Sequence, residues 1–213
     1  METENHTSAH SLFAKTDAMQ NADFWNNQYK ANTTGWDLGQ VSPPLKRYID
    51  QLTDKNQRIL IPGCGNTYEA EYLLQHGFNN ITLIDIAPIL VERLKIKFAF
   101  NPAIKIVLGN FFTHNGEYDL VLEQTFFCAL DTSLRLSYVA KMKELLAVNG
   151  KLVGVFFNKL FEQNGPPFGG VKQEYIHLFK DDFHFKVVDE CYNSFIKRKD
   201  SELFIILQKR GTD

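Results

Sequence analysis

Arg58-Ile-Leu-Ile-Pro-Gly-Cys-Gly-Asn-Thr67 reads as a buried strand that runs into a glycine turn and then a helix. Arg58 to Ile61 is a short apolar run with β-branched residues, bounded by Pro62 and Gly63, the pattern of a strand covered on both faces. Gly63 and Gly65 leave the turn without side chains, so backbone can approach a ligand and point N–H groups at it. Thr67 is the candidate N-cap of a helix over Tyr68 to His76, with Gly77 as its stop. Taken alone, the turn also fits a tight strand-to-helix connection that holds nothing.

A second strand changes the weighting. Asn80-Ile-Thr-Leu-Ile-Asp85 is apolar and ends in a carboxylate 22 residues after Gly63. An open α/β sheet places an acid there to accept hydrogen bonds from a ribose diol. A dinucleotide fingerprint needs a third glycine three residues after the second, and Tyr68 occupies that position. A nucleoside without a pyrophosphate, such as S-adenosylmethionine, therefore fits better.

At 213 residues and 44% hydrophobic content the chain suits one domain with one core. A formal charge of -2 leaves no electrostatic footprint for nucleic acid. Lys197-Arg198-Lys199 reads as a solvated hairpin tip rather than a binding patch. The three cysteines, Cys64, Cys128 and Cys191, show neither metal nor redox spacing, which predicts a reducing compartment. Without a signal-like start or a run of about 18 apolar residues, the expectation is a cytoplasmic, soluble protein with no membrane partner, monomeric or weakly dimeric.

Residues 1 to about 16 are polar and are expected to be mobile, with 1–20 forming an N-terminal segment outside the domain. His6 and His10 lie four apart but lack a third ligand, so no metal site is assigned. From residue 21 the character changes: Phe24, Trp25, Tyr29 and Trp36 place four aromatics in thirteen residues. These rings must bury themselves, either on the core or as a lid over a cofactor, and residues 21–52 are expected to form that lid or helical extension. Gly35 to Gly39 reads as a loop, and Pro43-Pro44 opens a helix to about Leu52.

Farther along, Pro88 to Phe98 predicts a helix and Ile104 to Leu108 a third strand ending at Gly109-Asn110-Phe111, suited to flank an adenine ring; for Phe111 a plain core role fits equally well. Tyr118 to Leu122 predicts a fourth strand stopping at Glu123-Gln124, where a carboxylate suits a methionine-type ammonium. Asp131 to Val148 predicts one long helix capped by Asp131, with an apolar stripe through Leu134, Tyr138, Met142, Leu145 and Leu146 and with Asn149-Gly150 as its stop, and Lys151 to Phe157 a fifth strand. Gly165-Pro-Pro-Phe-Gly-Gly170 is a rigid loop, a candidate substrate wall or a mere connector to a helix over Lys172 to Phe179. His184 to Asp189 and Glu202 to Leu207 predict an antiparallel pair at the sheet edge.

This pattern resembles the class I S-adenosylmethionine-dependent methyltransferase fold, an α/β, three-layer Rossmann-like architecture with a seven-stranded, mostly parallel sheet and an antiparallel last strand. Phe24-Trp25, Gly35-Trp36-Asp37, Pro62-Gly-Cys-Gly65, Phe126-Phe-Cys-Ala-Leu130 and Gly165-Pro-Pro-Phe168 with Glu174 resemble the thiopurine S-methyltransferase family, from about Ala22 to the C-terminus. The Trp-Asp and Phe-Phe-Cys-Ala elements are most similar to its halide and thiol methyltransferase branch. The resemblance implies S-adenosylmethionine as cofactor, with Trp25 and Trp36 closing over it. Gly63, Cys64 and Gly65 would cradle the methionine part, Asp85 with Ile86 the ribose, Asn110 and Phe111 the adenine. Glu123 and Gln124 would sit beside the methionyl group. Tyr29, Trp36, Phe127, Pro166, Pro167 and Phe168 are the candidate substrate-lining residues, with Glu174 weighed against a helix-surface role. Thiopurine-type members often carry arginine where this chain has Gln124, which puts activity on thiopurines in doubt.

The function so implied is methyl transfer to a small soft nucleophile: a thiol, hydrosulfide, thiocyanate or a halide. No catalytic acid or base is assigned, because a soft anion needs none and a thiol of pKa about 8.5 needs only modest help. Methylation at oxygen or nitrogen would call for a positioned base or metal. Cofactor binding without transfer is the third reading.

Overall fold

The structure is a computed structural model and describes residues 22–162 and 165–211. The expectations for residues 1–20, including His6 and His10, lie outside the described residues.

Seven strands form one sheet: β1 (Ile59–Pro62), β2 (Ile81–Asp85), β3 (Ile104–Leu108), β4 (Tyr118–Gln124), β5 (Leu146–Phe157), β6 (Phe183–Glu190) and β7 (Glu202–Lys209). Their order is β3-β2-β1-β4-β5-β7-β6. β1 pairs in parallel with β2 and β4, whereas β7 runs antiparallel between β5 and β6. Chain order reverses between β1 and β4, and an open α/β sheet opens a crevice at the carboxyl ends of the strands there. β1 and β2 are buried along their whole lengths, as strands covered on both faces must be.

The helices are α1 (22–31), α2 (Pro43–Ile49), α3 (Tyr68–Gln75), α4 (Pro88–Lys97), α5 (Arg135–Leu145) and α6 (Lys172–Phe179). Two apolar clusters fill the two faces of the sheet. One gathers Leu45, Ile59, Leu73, Leu83, Leu90 and Val153, and the other Leu60, Val121, Tyr138, Met142, Phe156 and Phe179. At the amino end, Arg58 grips Asp119 through Nη2 to Oδ1 at 2.7 Å and Nε to Oδ2 at 3.1 Å, which locks β1 to β4.

Two local expectations are corrected. The helix predicted over Asp131 to Val148 begins as a 3₁₀ turn, Thr132–Leu134, which Asp131 caps through Ser133 N. It ends at Leu145, because Leu146 already pairs with Tyr118 and opens β5. Asn149, at φ +64°, bends that strand, and a Cβ at Gly150 would press on the carbonyls of Ala147 and Tyr118. Asn149-Gly150 is thus a kink inside a strand, not a helix stop. Thr67 is not a side-chain N-cap. Its backbone is left-handed at φ +53°, and its buried Oγ1 finds no partner.

Candidate active site

A cavity of about 1600 Å³ lies at the carboxyl ends of β1, β2 and β4. Alternation along the strands decides which side chains reach it.

Gly63 and Gly65 have φ of +53° and +52°, which glycine adopts without a Cβ penalty. A Cβ at Gly63 would overlap the Phe126 ring, and one at Gly65 would come within 3.4 Å of Tyr29 Oη. Gly63 is therefore required by close approach as well as by conformation, and Gly65 by conformation. Asp85 ends β2 with its carboxyl buried in the wall. Oδ1 accepts from Ala87 N at 3.0 Å and Oδ2 from Gly65 N at 3.2 Å. Burial pushes its pKa up, and the N–H donors hold part of that rise back. Each oxygen keeps acceptor capacity toward the cavity, beside Ile86, which also lines it. At the end of β3, Asn110 spends Oδ1 on Phe112 N at 2.9 Å, which caps a 3₁₀ turn. Phe111 lines the cavity and also packs on Phe126, with ring centroids 5.1 Å apart.

The aromatic segment walls the cavity from the outside. Trp25 meets Trp36 edge to face at 5.1 Å, and Trp36 meets Tyr29 at 5.7 Å. Asn26 Oδ1 accepts from Ile89 N at 2.9 Å, so a residue of α1 caps the start of α4. Asp37 accepts from Asn66 Nδ2 and, at 3.3 Å, from Tyr68 Oη.

Opposite these lie Gln124, Cys128, Pro166, Pro167, Phe157 and Arg198. The thiols of Cys64 and Cys128 are both driven up by burial, with Asp85 and Glu123 respectively adding to the rise, which keeps them protonated and inert. Among the described residues no cluster of three or more histidines, cysteines and acids could hold a metal ion, and no helix is long and apolar enough to cross a membrane.

Four of the residues weighed for the site lie outside this wall. Glu123 alternates with the cavity-facing Leu122 and Gln124, so its side chain points into the opposite face of the sheet. It is fully buried and accepts from Phe126 N at 2.5 Å and Phe127 N at 2.8 Å. Desolvation pushes its pKa up to about 8, and Oε2 is left without a partner. Gly154, its neighbour on β5, makes room: a Cβ there would lie 2.9 Å from Oε2. Phe127 belongs to the core, stacked on Phe156 at 4.6 Å. Phe168 does not line the cavity; its N–H donates to Cys128 O at 2.7 Å. Glu174 is on the outer side of α6, half-exposed, where it accepts from Arg135.

Arg198 was missed. Lys197 and Lys199 are solvated as the charge run suggested, but Arg198 turns inward, lines the cavity and donates from Nη2 to Trp36 O at 2.6 Å. The available signal was the apolar Phe195-Ile196 beside it and an acid, Glu202, four residues on.

The chain matches the thiopurine S-methyltransferase family over residues 20–206. It is 29% identical over 173 residues to a probable thiol methyltransferase of Arabidopsis thaliana, covering 79% of this chain and 76% of that one. A thiopurine S-methyltransferase of Vibrio vulnificus is 27% identical over 179 residues, covering 76% and 82%. In fold, the chain superposes on a Burkholderia thailandensis 1,6-didemethyltoxoflavin N1-methyltransferase solved with S-adenosylhomocysteine. That superposition has a TM-score of 0.71 at 16% identity, over 99% of this chain and 94% of that one. The class I methyltransferase sheet, the glycine turn facing Asp85 and a family match over nearly the whole chain lead to one conclusion: this protein belongs to the thiopurine S-methyltransferase family.

Proposed function

We propose that the protein transfers a methyl group from S-adenosylmethionine to a small, soft, anionic or readily ionised acceptor, a thiol, hydrosulfide, thiocyanate or halide. The residues present fit the cofactor: a bare glycine turn, a buried carboxyl with free lone pairs, and an orphaned hydroxyl on Thr67 line one half of the cavity. In this reading Gly63 to Gly65 take the methionine part, Asp85 and Ile86 the ribose, and Asn110 with Phe111 the adenine. S-adenosylmethionine, when bound, supplies a methyl already activated on a sulfonium. What remains for the protein is to hold the acceptor in line and keep water out, the work of Trp25, Tyr29 and Trp36.

One observation carries the choice of acceptor: every carboxylate lining the cavity is held by donors of the protein, and the lone pairs that Asp85 keeps free are those the ribose takes in this reading. Asp37 holds Asn66 and Gly39 N, Glu69 holds Ser42 N at 2.9 Å, Asp85 holds two backbone N–H groups and Asp131 holds Ser133. A hard oxygen or nitrogen acceptor would need one of them as a base. A soft anion does not, and a cation that lines the same cavity, Arg198, is paired with Glu202.

The test is calorimetric titration with S-adenosylmethionine, followed on the same sample by detection of methylated products from hydrosulfide, thiocyanate, iodide and a small aromatic thiol. Cofactor binding with product from a sulfur or halide acceptor is expected. Binding with product only from a hydroxyl or amine acceptor would overturn the choice of nucleophile, and no binding would overturn the site.

A further inference from the structure

The aromatic wall is fastened very unevenly. On the side of β1 and β2 it is held by Asn26 on Ile89 N and by Asp37 on Asn66 and Tyr68. Across the cavity, among the described residues, the side-chain hydrogen bond that reaches it from the β4 to β7 half is Arg198 Nη2 to Trp36 O, at 2.6 Å and 162 positions apart in sequence. The guanidinium and its partner Glu202 are 11% and 4% exposed, so a charge has been placed under cover there. Its link to Glu202 Oε1 is long, 3.4 Å, and its plane rests over Phe157 at 5.5 Å. The short, directed bond is the one to the Trp36 carbonyl. Trp36 in turn carries Trp25 and Tyr29 through its ring contacts.

We infer that Arg198 is a positioning residue that latches the aromatic wall shut, joining the β6 to β7 connection to the Trp36 backbone and so setting how long the cofactor stays bound. Losing a charged donor to a carbonyl removes enough free energy to open the wall locally without unfolding the sheet. Lysine at 198 keeps the charge but brings one compact ammonium in place of a planar fork, so it restores the latch only in part. The inference rests on the cavity being the cofactor site, but its first test does not.

That test is hydrogen exchange on the full chain without ligand, comparing wild type with Arg198→Met and Arg198→Lys. The Asp37 amide, which closes the turn around Trp36 by donating to Thr34 O at 2.9 Å, should exchange about tenfold faster in Arg198→Met, less so in Arg198→Lys, with β1, β2 and β5 unchanged. The second readout is the dissociation rate of S-adenosylhomocysteine with no acceptor present, followed by tryptophan fluorescence; it should rise by a similar factor. An arginine that only contacted the acceptor would move neither. If Arg198→Met loses protection throughout the sheet, Arg198→Lys decides alone. Unchanged exchange at the Asp37 amide in a folded variant overturns the latch. Faster exchange in a protein that binds no S-adenosylhomocysteine leaves the latch standing and overturns the assignment of the cofactor.

Discussion

Where β1, β2 and β3 end, the cavity wall is made of residues that follow their strands within a few positions, and much of what it presents is backbone or backbone-held: the bare turn at Gly63 and Gly65, Asp85 pinned by two N–H groups, Asn110 capping its own turn. Where β4 ends, the wall is assembled from afar. Gln124 and Cys128 come from the end of β4 and the turn after it, Pro166 and Pro167 from the connection after β5, Arg198 from that between β6 and β7, and the aromatic segment arrives from before β1. The first half is a geometry that the local chain imposes. The second is a meeting of side chains whose reach depends on the whole sheet. In the function proposed above the first half takes the cofactor and the second the acceptor, a division that lets a fold keep one donor and change the nucleophile.

The largest effect is expected at Gly63. Gly63→Ala forces a left-handed φ on a residue with a Cβ and drives that Cβ into Phe126, which should cost about 2–3 kcal/mol of stability by urea unfolding. Adding Phe126→Ala should recover part of it, and a double-mutant cycle with no coupling would show that the two do not press on each other. Next, Asp85→Ala should weaken S-adenosylmethionine by about 1.5–3 kcal/mol in calorimetry while leaving the acceptor KM nearly unchanged. An unchanged cofactor affinity would remove Asp85 from the site and erase the division between the halves. Trp36→Ala should lower kcat about tenfold or more with a smaller loss of cofactor affinity, because the wall acts on the reacting geometry; equal losses would place Trp36 in the cofactor half instead.

The smallest effect on ligands is expected at Glu123. Glu123→Gln should change cofactor affinity at neutral pH by less than about threefold, since its carboxyl faces away from the cavity. Its signature lies in stability against pH. The folded protein keeps this carboxyl protonated up to about pH 8, whereas the unfolded chain releases the proton near pH 4.5. The folded state therefore binds more protons across that window, and the group's contribution is complete below pH 4.5 and lost as pH rises through 8. Unfolding measured from pH 5 to 9 should show a shallower decline for Glu123→Gln than for wild type. Equal slopes would mean that Glu123 is ionised in the folded state and would put its charge back among the candidates for the site.

The sheet and its turns were readable because their signals are local: an apolar run stopped by Pro62-Gly63, and another ended by Asp85 at the ribose spacing. Residue type and spacing suffice where backbone conformation is the feature. Reading failed where two local rules agreed on the wrong answer. A helical stripe continued through Leu145 and Leu146 to Asn149-Gly150, yet pairing with Tyr118 claimed Leu146 for a strand. A carboxylate at a strand end looked like a ligand contact in Glu123, but the two-residue alternation turned it to the other face.

The open sheet and the strand ends that carry glycine and aspartate are legible in the chain alone, because steric preference and hydrophobic period act within a few residues. That Arg198 leaves a solvated charge run to meet Trp36, that Phe127 and Phe168 do not line the cavity and that Glu123 is buried as an acid follow from packing. Those outcomes depend on which strands lie side by side and on what each leaves uncovered. Burial and partner choice over 162 positions are properties of the packed whole and are written in no one segment.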